Sequence, residues 1–142
     1  MKKIIMLLVM ALVVANVFSQ QSVTIDNRLY AKYQAADLQN ILNNNPAEIE
    51  YLNWMLDNAY VIKDINSPEA NNFPRLRYFD KETKQSAAEV TDYNPDNFNI
   101  MEFDFNIDYK KSKAYQIGNT GKLVVFFSGE DLTKLFNNYK NR

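Results

Sequence analysis

Glu102, Asp104, Asn106 and Asp108 fall at alternate positions, so on an extended strand they share one side. Paired carboxylates on one face are what glycoside hydrolysis uses as acid and base, provided an apolar pocket keeps one of them protonated. Asp104 with Glu102 or Asp108 is the candidate pair, although the solvated outer face of a half-exposed sheet explains the same residues more simply. A second set, Asp92, Asn94 and Asp96, occupies the first, third and fifth positions of an EF-hand-like loop, with Asn97 where glycine is usual. The twelfth position is Phe103, Glu102 comes one residue early, and Pro95 restricts the turn, so a hydrogen-bonded Asx turn is the expectation and no metal ligand is assigned. The chain contains no histidine and no cysteine. Ser-His-Asp triads, Cys-His dyads and the common zinc sets therefore lack their residues. The segment IGNTGK, Ile117 to Lys122, is too short for a phosphate loop and reads as a hairpin turn. No residue is assigned to catalysis, to a cofactor or to a metal. Tyr51 and Trp54, aromatic residues beside the apolar stripe of an amphipathic helix, are the candidate partner-binding pair.

The elements that must position these residues are clearest at the C-terminal end. Ala114–Ile117 and Leu123–Phe127 are apolar, aromatic and β-branched runs joined by Gly118-Asn119-Thr120-Gly121, which predicts a β-hairpin. Leu123-Val124-Val125-Phe126-Phe127 is apolar at every position, the pattern of a strand covered on both faces, so a central place in the sheet is expected. Ser128-Gly129-Glu130-Asp131 has the form of a capping box. Leu132, Leu135, Phe136 and Tyr139 then give an apolar stripe that should lie on the sheet.

Upstream, Asp37–Leu42 predicts a short helix ending in Asn43-Asn44-Asn45, and Asn27–Tyr33 reads as a strand or an irregular arm. Asn45 can cap a second helix, with Pro46 at its first position, acids in the first turns and an end near Asn58. Tyr60–Ile65 and Arg75–Phe79 predict strands, separated by a proline- and asparagine-rich loop. Phe98–Tyr109 predicts a long strand whose apolar parity changes near Ile100, as a β-bulge would allow. The expected fold is α+β: one antiparallel sheet of about four or five strands, with the Pro46 helix and the C-terminal helix packed on one face.

Lys2 and Lys3 precede an apolar run from Ile4 to about Ala15, then small or neutral residues before Gln20. This is the pattern of a secretory signal peptide, residues 1–19, shorter than the ~20 residues a membrane span requires. Residues 20–142 form the expected single domain, periplasmic or extracellular, with no membrane span. Without Lys2 and Lys3, the 16 basic residues become 14 against 17 acidic, a charge of −3. That balance gives no basic footprint for nucleic acid.

The segments YLNWMLDNAYVI (Tyr51 to Ile62) and YQIGNTGKLVVFF (Tyr115 to Phe127) resemble small exported Bacteroidota proteins of unassigned activity. The resemblance implies an envelope setting and brings no catalytic residues. Some small exported proteins of that group accompany surface secretion or gliding machinery. The function expected is a non-catalytic, protein-binding accessory or stabilising subunit of an envelope assembly. A small-ligand or glycan-binding module is the alternative, and a carboxylate-only hydrolase the third.

Overall fold

The computed structural model describes residues 22–142. The predicted leader, residues 1–19, lies outside them. Asn45 separates two helices, α1 (Ala35–Asn44) and α2 (Pro46–Asn58). Its N–H donates to Ile41 O at 2.7 Å, and its C=O accepts from Glu48 N at 3.0 Å, so one residue closes the first helix and opens the second. Pro46 begins α2 where a missing amide costs nothing. The cap itself differs from expectation: the Asn45 side chain accepts no helix amide and instead donates to Glu48 Oε2 at 3.2 Å. α1 packs on α2, burying Leu38 from the first helix and Ile49, Met55 and Leu56 from the second.

The strands are β1 (Tyr60–Asp64), β2 (Arg77–Asp80), β3 (Gln85–Glu89), β4 (Phe103–Asp104), β5 (Lys113–Gln116) and β6 (Lys122–Phe126). A four-residue helix α3 (Ser67–Ala70) follows β1, and α4 (Gly129–Lys140) closes the chain, so the fold is α+β with four α-helices among the described residues. The expected single sheet is instead two antiparallel sheets of three strands each, ordered β1-β6-β5 and β3-β2-β4. They meet at an isolated parallel bridge between Arg75 and Gln116, where Leu76 N–H donates to Gln116 O at 2.8 Å and Gln116 N–H donates to Pro74 O at 2.9 Å. Leu76 O accepts from Val90 N at 2.9 Å, so Leu76 is bonded on both sides, and its side chain is fully buried.

β6 lies at the centre of its sheet, as a strand apolar on both faces must. Val124 and Phe126 enter the core on one face, and Leu123 is buried on the other. The β5–β6 hairpin turns through Gly118 and Gly121, both at positive φ. Ser128 caps α4 by accepting from Asp131 N at 3.1 Å, and the Asp131 carboxylate answers to the serine hydroxyl, at 2.7 Å, rather than to a backbone amide.

Two further expectations are corrected. Phe98–Tyr109 is not a long bulged strand: Ile100–Glu102 forms a 3-10 turn, capped by the Asn99 side chain accepting from Met101 N, and only Phe103 and Asp104 pair as strand. Ile100 and Met101 are adjacent yet both buried, which a turn permits and an alternating strand does not. Asn27–Ala31 is likewise a 3-10 turn, with Asp26 accepting from Arg28 N at its start.

Candidate functional site

α2 and α4 meet through aromatic rings. Tyr51 stacks on Trp54 at 6.0 Å between ring centres, Phe136 meets Tyr51 at 5.0 Å and Trp54 at 5.3 Å, and Tyr139 lies 6.4 Å from Trp54. The expected pair Tyr51 and Trp54 is thus brought together, and the structure adds Phe136 and Tyr139 to it. The α4 stripe does not lie wholly on a sheet. Leu132 is fully buried and Phe136 half-buried against α2, but Leu135 and Tyr139 remain 41% and 51% exposed. A bond from Lys140, the last residue of α4, to Glu50 of α2 at 2.6 Å ties the two helices.

Two open clefts flank this wall. The larger, of about 700 Å³, is bounded by Trp54, Tyr139 and Lys140 together with the polar face of α2 and residues Ser22–Thr24. The smaller, of about 420 Å³, is bounded by Val61, Phe127, Leu135 and Arg142. Trp54, Asp57, Asn58 and Tyr139 border both. Most of the polar groups are already engaged. Asn53 Oδ1 accepts from Asp26 N at 3.0 Å, and Asn53 Nδ2 donates to Thr24 O at 2.7 Å. Arg28 donates to both Asp57 oxygens, at 2.6 and 2.9 Å, and also to Asp26. The side-chain hydrogen bond from Arg28 holds the Asp26 carboxyl below its ordinary range against the opposing effect of burial. Asn58 Nδ2 donates to Trp54 O at 2.8 Å. What remains includes ring face, aliphatic surface, the Trp54 indole N–H and the side chains of Thr24, Asn138 and Arg142, which have no hydrogen-bond partner among the described residues.

The acidic row does not share a strand face. Glu102 belongs to a 3-10 turn and is exposed, and Asp104 accepts a hydrogen bond from the Ser86 hydroxyl. Asp108 Oδ1 accepts from Lys110 N and Lys111 N, bonds that lower its pKa. Asn94 forms the expected Asx turn, accepting from Asp96 N at 3.0 Å. Asp92, Asn94, Asn97 and Glu102 border one hollow of about 280 Å³, but among the described residues no group of three or more acidic side chains is placed to hold a metal ion. No helix among them is long and apolar enough to cross a membrane.

Lys32 is a group that the sequence did not single out. Its ammonium lies 4.3 Å from the Phe105 ring centre and 4.8 Å from that of Phe79, and it donates to Phe103 O at 3.3 Å. Burial lowers its pKa, and the charge of Asp104 opposes this. Its neighbours are far away in sequence, so no local pattern could have marked it.

Comparison with protein-family models, with curated proteins and with solved structures finds no match to this chain.

Proposed function

We propose that the chain is a non-catalytic exported protein of the cell envelope that binds another protein, as an accessory or stabilising subunit, through the Trp54–Tyr139 wall. One observation carries this reading: the wall exposes aromatic surface beside the polar face of α2, whose Glu50, Asn53, Asp57 and Asn58 already bond to other groups of the chain. A large ring with one free N–H is the usual form of an interface anchor, giving apolar area and one directional bond to a partner carbonyl. The leader pattern supports export, and the lack of histidine and cysteine narrows the catalytic routes. A glycan-binding module is favoured by the same partly exposed rings. Sugars, however, also need in-plane hydrogen-bond partners, and Glu50, Asn53 and Asp57 have theirs in use.

The test is affinity capture from native envelopes with the mature protein and its Trp54→Ala and Tyr139→Ala variants, each first shown to fold by circular dichroism. One stoichiometric protein should be retained by the wild type, with affinity reduced ~30-fold or more in Trp54→Ala, the loss expected of an anchor worth at least ~2 kcal/mol. Tyr139→Ala, truncated at a more exposed ring, should lose less. No retained protein, or equal retention by all three, overturns the reading; glycan binding by the isolated chain supports the second one.

A further inference from the structure

β1 is a regular strand with one side unused. Phe127 N–H donates to Ala59 O at 3.0 Å and Ile65 N–H donates to Gly121 O at 2.9 Å. Between these bonds the pairing runs from Tyr60 opposite Phe126 to Asp64 opposite Lys122 without a bulge. Backbone direction alternates along a strand, so Val61 and Lys63 turn their N–H and C=O groups to β6, and Tyr60, Ile62 and Asp64 turn theirs outward. Those outward groups have no backbone partner among the described residues. The other strand edges are less suited to pairing. β5 is covered at Gln116 by the Pro74–Leu76 segment, β3 pairs through a register shift, and β4 has two residues. Apolar surface also gathers here: of the six large hydrophobic side chains that stay exposed among the described residues, Val61, Leu135 and Tyr139 border the cleft beside β1.

We infer that β1 pairs antiparallel with β1 of a second copy about a two-fold axis at Ile62, merging two three-stranded sheets into one of six strands. The outward groups are themselves symmetric about Ile62. In this register Tyr60 meets the partner's Asp64 and Ile62 meets the partner's Ile62, each pair exchanging two hydrogen bonds, so every outward donor finds an outward acceptor. Charge selects the register. An axis at Lys63 would place two ammonium groups directly opposite each other, which destabilises a sheet. An axis at Val61 would carry Asp64 beyond its counterpart. With the axis at Ile62, Lys63 lies across from the partner's Val61, and its methylene stem covers a side chain otherwise 36% exposed. The pairing uses the backbone edge beside the Trp54 wall, and self-association of the isolated chain is measured apart from the capture of another protein, so the failure of one reading is distinguishable from the failure of the other.

The absence of cysteine makes the register directly testable. Val61 and the partner's Lys63 would form a non-hydrogen-bonded pair, with Cα atoms ~4.5 Å apart, within disulfide reach. Two copies of Val61 would lie diagonally, at ~7–8 Å, beyond it. Val61→Cys and Lys63→Cys chains, mixed under mild oxidation by diamide, should form a covalent dimer that neither variant forms alone. In sedimentation the wild type should be a dimer. Asp64→Pro, which removes one outward donor at an exposed side chain and none of the backbone bonds to β6, should shift it to monomer while keeping its circular dichroism spectrum. A wild type that is monomeric up to high micromolar concentration overturns the proposal, as does a disulfide within Val61→Cys alone.

Discussion

At the scale of residues, the most connected charge is Arg28, which holds Asp26 at the start of a 3-10 turn and Asp57 on α2. Arg28 lowers the folded-state pKa of Asp26, so the stability this contributes is present above the ordinary carboxylate range and is lost as pH falls through the lowered value. Replacing Arg28 with Gln should cost about 1 kcal/mol or less at neutral pH, because these groups are about a third exposed or more. It should also flatten the acid limb: below about pH 4 the melting temperatures of variant and wild type should converge. Parallel curves down to pH 2 would sink this account. The Arg28–Asp57 link was not legible in the sequence, since the two residues are brought together only by the packing of α2 on the N-terminal turn. Glu102, Asp104 and Asp108 show the converse. Their alternation was visible, but it has meaning only on a strand, and the strand is two residues long.

At the scale of elements, the β5–β6 hairpin and the α4 start were readable because their signals are local. Glycines set the turn, and a serine three residues ahead of an aspartate sets the cap. The two glycines nonetheless differ in what the tertiary structure asks of them. A Cβ on Gly118, at φ +49°, would stand 2.4 Å from Thr91 O, a backbone atom, whereas one on Gly121, at φ +70°, would meet nothing closer than Ile65 O at 3.7 Å. Gly121→Ala should therefore cost ~1–2 kcal/mol, the strain of positive φ alone. Gly118→Ala should cost about 3 kcal/mol or more, because the Thr91 backbone must also move. Chemical denaturation of both variants gives the order, and equal losses would show that Thr91 yields freely. The 100–102 turn escaped the sequence reading because Asn99 takes its cap bond from Met101 N, only two residues ahead, a signal that an apolar alternation on either side conceals.

At the scale of the molecule, Leu76 joins the two sheets, bonded to Gln116 on one side and Val90 on the other, with its side chain fully enclosed. Phe105 stacked on Phe126 at 4.2 Å and Lys32 between Phe79 and Phe105 add to the same join. The core is continuous across it, from Val90 and Phe103 to Val124 and Phe126. The two sheets should therefore unfold together. Leu76→Ala should cost ~2–5 kcal/mol and move a single transition, seen alike by Trp54 fluorescence and by far-ultraviolet circular dichroism. Two separated transitions would show that the sheets are independent units.

The sequence by itself determined the α+β class, the Pro46 and C-terminal helices, the hairpin, the central place of β6 and the absence of histidine and thiol chemistry. Each of these follows from residue type and spacing within a few positions, where sterics and hydrogen bonding act directly. Only the tertiary structure decided that the strands divide into two sheets, that Tyr51 and Trp54 meet Phe136 and Tyr139, and that the outer edge of β1 stays open. Those outcomes depend on contacts between residues tens of positions apart. The same apolar stripe on α4 would serve a sheet or a neighbouring helix equally well, and the core volume left for it determines which rings stay exposed.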